Sequence, residues 1–324
     1  AFFSGCEKTE QTTVEELAYR ISDSLSEFTG VENGFFGAVS VTWHAGELYI
    51  SDGMQHRLIR CRGDFSHPRF FGRKGKGPGE FELPGLVRVY GERLYVEDRQ
   101  NQRIQVLTLE GEYRYDIPVS GIPDIEFAID SRGQLYVVDP DLTANTLITC
   151  YDSLGNKLRT LGTVAISAEE VNQEIAHLHN GACLDLDDQN NLYVGFRSSK
   201  IPLLRKYNAQ GELLWETHLS EVPVFQSGLS KLNKALETSP DGQALFIYFY
   251  IMALDYFQGR VYLATSEHNA DLFGFDAATG TFTAHIRLDR KAGHTVQRIA
   301  FTPEGALYLA GYPSVFRALP VKLP

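Results

Sequence analysis

Gly91-Glu92-Arg93-Leu94-Tyr95-Val96 reads as a tight turn followed by an apolar residue, a tyrosine and a second apolar residue. The same pattern stands at Gly46-Glu47-Leu48-Tyr49-Ile50, Gly133-Gln134-Leu135-Tyr136-Val137, Asn190-Asn191-Leu192-Tyr193-Val194, Gly259-Arg260-Val261-Tyr262-Leu263 and Gly305-Ala306-Leu307-Tyr308-Leu309. The tyrosines follow one another at intervals of 46, 41, 57, 69 and 46 residues. A turn leading into β-favouring residues is a hairpin signal, and its return at a period in the forties marks one β unit repeated along the chain.

The flanks complete the unit. Upstream lie strand-like runs such as Ala38–Thr42, Leu86–Val89 and Arg298–Phe301, and downstream Arg57–Cys61, Arg103–Leu107 and Leu147–Tyr151. Turns at Glu110-Gly111-Glu112, Ser153–Asn156 and Ala209–Glu212 then lead toward a fourth strand. The expected fold is all-β: a six-bladed β-propeller of four-stranded blades over residues 30–324, preceded by an N-terminal segment 1–29. One stretch is more specific. Gly75-Lys76-Gly77-Pro78-Gly79-Glu80-Phe81, Pro84, Leu94-Tyr95-Val96, Asp98, Asn101, Arg103-Ile104-Gln105-Val106 and Gly111 together resemble an NHL repeat, and Asp52 and Arg57 repeat part of that signature. The resemblance implies the same propeller fold. The close motif covers about one blade, so it carries no particular activity with it.

Two long intervals hold helix signals. Ser167-Ala168-Glu169-Glu170 fits a capping box before Val171, Ile175 and Leu178, and Ser227–Glu237 places Leu229, Leu232 and Leu236 on one face. A third helix is expected in the N-terminal segment, capped by Thr13 and Glu16, with Val14, Leu17, Ile21, Leu25 and Phe28 as its apolar stripe. The chain ends soon after Val315–Leu319, so the outermost strand of the last blade is expected from the N-terminal side, near Gly30–Phe36.

Composition narrows the function. The formal net charge is −11, which argues against binding nucleic acid through its phosphates. No run of 18 or more apolar residues is present. Phe3-Ser4-Gly5-Cys6 resembles the end of a bacterial lipoprotein signal, which would make Cys6 a lipidated anchor and the protein extracytoplasmic, periplasmic or outer-membrane-associated. Membrane attachment is expected only through that lipid. Cys61, Cys150 and Cys183 stand in strands without metal-ligand spacing and read as buried thiols.

Candidate binding residues cluster on the connections between strands and between blades. Arg73, Lys74 and Lys76, with Arg57 and Arg99, form an expected cationic patch. Asn101 and Arg103 belong to the NHL-like loop, His179 ends the first helical insertion, Tyr250 lies in the aromatic run Ala244–Met252, and His268 sits in a later loop. No catalytic set and no metal-ligand set emerges, and no cofactor is expected. The leading expectation is a non-enzymatic propeller that binds a peptide, glycan or partner protein around its central channel. The alternative is a metal-assisted hydrolase or lyase, lactonase-like, using the same face and a divalent ion.

Overall fold

The computed structural model describes residues 13–25, 37–119, 125–167, 169–171, 173–237, 249–267, 271–289, 296–311 and 314–322. Strand β1 (Glu15–Leu25) comes first. The first four-stranded sheet holds β2 (Ala38–His44), β3 (Glu47–Asp52), β4 (Arg57–Arg62) and β5 (Arg69–Phe71). The second holds β6 (Pro84–Tyr90), β7 (Arg93–Asp98), β8 (Arg103–Thr108) and β9 (Tyr113–Pro118). The third holds β10 (Phe127–Ile129), β11 (Leu135–Asp141), β12 (Thr146–Tyr151) and β13 (Lys157–Leu161). Helix α1 (Gln173–His179) leads into the fourth, β14 (Ala182–Leu186), β15 (Leu192–Phe196), β16 (Leu203–Tyr207) and β17 (Leu213–His218). After α2 (Pro223–Glu237) come β18 (Ile251–Phe257), β19 (Arg260–Thr265), β20 (Leu272–Asp276) and β21 (Phe282–Leu288). Last are β22 (Arg298–Phe301), β23 (Leu307–Gly311) and β24 (Ser314–Val321).

The fold is an all-β propeller, but six separate four-stranded blades do not form. Hydrogen bonding gives four four-stranded blades and one eight-stranded sheet in the order β18-β19-β20-β21-β1-β24-β23-β22. The cause is β1, which pairs antiparallel with β24 and parallel with β21 and so fuses what the repeat presents as two units. The first strands β2, β6, β10, β14, β18 and β22 pack against one another in sequence, with β22 returning to β2.

β1 also corrects the expected N-terminal helix. Leu17, Ile21 and Leu25 suit helical spacing, yet Leu17, Tyr19 and Ile21 equally suit the alternation of a strand. Two sheet edges with free backbone groups settled the choice, because pairing satisfies both. The anticipated closing segment Gly30–Phe36 and the apolar Phe28 lie outside the described residues, as does Cys6.

The repeat tyrosines fill the spaces between sheets. Tyr49, Tyr95, Tyr136, Tyr193, Tyr262 and Tyr308 are each no more than 4% exposed. Tyr95, for example, packs with Leu86, Ile104 and Val106 of its own blade and Phe127, Leu135 and Val137 of the next. Removing one such ring would cost roughly 3–5 kcal/mol, as for other large aromatic core truncations. Cys61, Cys150 and Cys183 are free and buried, and burial pushes the Cys61 thiol up to about 12.

Both helical insertions form. The Ser167 amide and hydroxyl meet Glu170 Oε2 at 2.8 and 2.9 Å, although the helix begins only at Gln173. α2 starts four residues earlier than expected and buries Phe225, Leu229 and Leu232 against β18–β20.

Ion pairs supplement the ladder hydrogen bonds that hold β1 in place. His285 Nε2 meets Asp271 at 3.1 Å, and its Nδ1 meets Glu16 of β1 at 3.3 Å. Arg287 also meets Glu16, and Arg260 meets Glu15. The Asp271 hydrogen bond and the neighbouring carboxylates raise the His285 pKa above its ordinary 6.5. A raised folded-state pKa stabilises the fold below 6.5 and loses that contribution as pH rises through the folded value. His285→Gln should therefore lower the melting temperature at about pH 6 and leave it unchanged at about pH 9. A loss of equal size at both pH values would show that packing on Phe273, not protonation, is what His285 supplies.

Candidate binding site at the axial mouth

The NHL-like loop proves to be internal scaffolding. Asp98 Oδ2 accepts from Asn101 Nδ2 at 2.8 Å and Arg103 Nε at 2.9 Å, and Asp98 Oδ1 accepts from the Glu82 amide at 2.7 Å. Asn101 reaches the Gly75 carbonyl, and Arg103 the carbonyls of Gly77 and Glu80. This network ties the connection between the first and second blades to the β7–β8 loop. The first blade repeats it, with Arg57 bound to the buried Asp52 at 3.0 Å. Arg57, Asn101 and Arg103 thus bind the chain itself, with Arg57 Nη2 and Asn101 Oδ1 buried without a partner among the described residues. The Gly77 and Gly79 amides meet Glu80 and Gln105, so this loop forms no anion cradle.

Arg73, Lys74 and Lys76 are exposed on the same connection. Arg73 pairs with Glu80 at 2.7 Å and Lys74 with Glu82 at 3.7 Å, while Lys76 makes no ion pair among the described residues. Arg99 meets Glu97 at 3.1 Å. His179 is buried, its Nδ1 2.5 Å from Ser198 Oγ, and burial together with Lys200 lowers its pKa. His177, two residues earlier on α1, is exposed. Tyr250 is fully buried against Phe225 of α2 and belongs to the core. His268 lies outside the described residues.

The charges that do converge were missed in the sequence. Arg88, Asp185 and Asp255 each stand opposite a repeat tyrosine, paired with Tyr95, Tyr193 and Tyr262. Counting back seven or eight residues from those tyrosines would have found them. Arg88 Nη2 crosses to the Leu184 carbonyl at 2.9 Å, although β6 and β14 are not adjacent. Asp185 accepts from the Tyr256 amide at 2.7 Å, and Asp255 from the Phe301 amide at 3.0 Å. Desolvation raises both carboxyl pKa values, Asp185 raises that of Asp255 further, and Arg88 opposes both shifts.

Nearer the connections, Glu126 Oε2 accepts from Arg298 Nη2 at 2.6 Å and Arg197 Nη2 at 3.0 Å. These side chains come from the start of β10, the end of β15 and the start of β22. Arg197 also donates to Cys183 Sγ at 3.2 Å and lies 5.8 Å over the ring of Phe249, which is 36% exposed. The connection side of the axis therefore holds two largely buried guanidiniums, one shared carboxylate and a part-exposed aromatic ring.

No protein-family profile matches the chain. NHL repeat-containing protein 3 of Homo sapiens is 40% identical over 65 residues, 19% of this chain and 19% of that protein. The chain thus spans about a fifth of the length of that curated relative. A streptogramin B lyase structure matches with a TM-score of 0.51 at 10% identity, covering 92% of this chain and 98% of that one. A nidogen/laminin complex matches with a TM-score of 0.50 at 13% identity, over 77% of this chain and 84% of that one. The fold defines the class: the chain is a β-propeller, and 65 of its residues are similar to an NHL repeat-containing protein.

Two stability effects follow from the axis. Glu126→Ala removes the carboxylate that both guanidiniums share and should cost roughly 3–5 kcal/mol in urea unfolding. Wild-type stability would show that the cluster does not brace the ring. A carboxyl whose folded pKa is raised destabilises the fold progressively as pH climbs from its ordinary 3.8 through the folded value. Asp255→Asn keeps the acceptor and removes that penalty. Its melting temperature should match wild type at about pH 3.5 and exceed it at about pH 8. A variant melting below wild type at the higher pH would contradict the assignment.

Proposed function

We propose that the protein is a non-enzymatic binding propeller whose ligand, a peptide, glycan or partner segment bearing an anionic group, docks at the axial mouth. The observation that carries this reading is the convergence of Arg197 and Arg298 on Glu126 beside the exposed ring of Phe249. Keeping charge inside a propeller costs free energy that an apolar filling would avoid. A mouth of arginine and exposed aromatic is the composition that dominates binding at protein interfaces. The rim cations Arg73, Lys74 and Lys76 would add attraction without specificity.

The metal-assisted hydrolase or lyase reading gains no comparable support. Asp185 and Asp255 bring two carboxyls to the axis, but the Arg88 guanidinium beside them would compete with a divalent ion. Among the described residues no three His, Cys, Asp or Glu side chains gather as a metal site requires.

Fluorescence polarisation against labelled acidic peptides and carboxylated or sulfated glycans tests the proposal. Arg197→Ala combined with Phe249→Ala should weaken the best binder by at least about tenfold, the loss expected of one charged hydrogen bond. Undiminished binding by that variant, or turnover of a bound probe by the wild type, would reject the reading.

A further inference from the structure

The face opposite the axial mouth carries a second site. There the β6–β7 turn of the second blade meets the β10–β11 turn of the third around a cavity of about 530 Å³. Its walls include Arg93, Tyr95, Arg114 and Arg132. Arg114 and Arg132 have acidic neighbours, Glu112 at 3.5 Å and Asp130 at 2.8 Å, and both remain half exposed. Arg93 has no carboxylate in ion-pair range among the described residues, and its Nη1 donates to Tyr115 Oη at 3.1 Å.

Tyr95 supplies the second, independent observation. Its residue is fully buried, and its hydroxyl, beside Arg93 and Tyr115, makes no hydrogen bond of good geometry among the described residues. Three of the five equivalent tyrosines find an acceptor: Tyr193 donates to Asp187 at 2.9 Å, Tyr308 to the Gly63 carbonyl at 2.7 Å and Tyr136 to Asp130 at 3.3 Å. A buried unpaired hydroxyl is costly, so its place calls for an acceptor. Asp187 and Asp130 come from the first hairpin of the tyrosine's own blade and Gly63 from the adjoining one; Tyr95 meets no such acceptor among the described residues and stands in the cavity wall. Guanidinium and phenol are donors at this wall, and a ligand that satisfies them presents oxygen acceptors and negative charge. Glu92 stands among the lining residues and disfavours large polyanions.

We propose that this cavity binds a small oxyanion, a phosphate or carboxylate group, with Arg93 and the Tyr95 hydroxyl as its donors. The site is separate from the axial mouth, and each can fail alone.

The test is thermal unfolding of the full chain titrated with sodium phosphate or sodium citrate, against sodium chloride at matched ionic strength. At least one of the two anions should raise the wild-type melting temperature, because a ligand that binds the folded state stabilises it. Which of them does so identifies phosphate or carboxylate as the favoured group. Arg93→Ala and Tyr95→Phe should each weaken the apparent affinity by about tenfold. Without anion, Tyr95→Phe should melt at or above the wild-type temperature, since it removes only an unpaired hydroxyl. Lys76→Ala, on the other face, should bind as wild type does. Neither anion stabilising the wild type, or either the Arg93 or the Tyr95 variant binding as tightly as the wild type, would overturn the proposal.

Discussion

Backbone pairing of β1 between β24 and β21 is the constraint on which the rest of the structure depends. Without it, β21 and β24 would each present an edge of unpaired amides and carbonyls, and the ends of the chain would have no common sheet. With it, a strand from the start of the chain lies beside strands some 260 to 300 residues later in sequence. The sheets can then hold their inner strands in a cycle, and the repeat tyrosines can pack between neighbours on both sides. Glu15, Glu16 and Arg20 add ion pairs to that seam, but exposed pairs contribute little beside the ladder hydrogen bonds.

That closure brings the axial charges together. Arg88 on β6, Asp185 on β14 and Asp255 on β18 meet only because inner strands from different blades line one space. Glu126, Arg197 and Arg298 likewise join three separate elements. Their hydrogen bonds brace the ring from within, and the same groups leave a charged mouth at the connection side. The hairpin side differs in kind. Its cavity lies between two blades, away from the axis, and is walled by guanidiniums and a buried phenol. Two faces of one scaffold therefore offer two distinct chemistries.

The scaffold was largely legible before the structure. A turn followed by Leu-Tyr or Val-Tyr repeats because each blade must fill the same gap with the same ring, so local sequence carries the fold. The NHL-like Asp98, Asn101 and Arg103 were legible as organisers of their loop, with ligand contact at Asn101 and Arg103 as the lesser alternative. Polar residues in a loop look alike whether they hold a partner or hold the chain, and here they hold Gly75, Gly77 and Glu80. Tyr250 was open to two readings, core packing first and stacking on a ligand second, and its burial against Phe225 of α2 places it in the core. The β1 segment was misread because its apolar residues satisfy two periods at once.

By itself the sequence determined that the chain repeats a β unit, that the tyrosine strands are buried and that helices interrupt two of the connections. Those properties depend on neighbours within a few residues, which turn chemistry and side-chain alternation encode directly. Tertiary structure alone decided that β1 is a strand, that two of the repeat's units merge in one eight-stranded sheet and that Glu126 meets Arg298 across the ring. Such pairings join residues more than a hundred positions apart, and their energy exists only once the ring has closed.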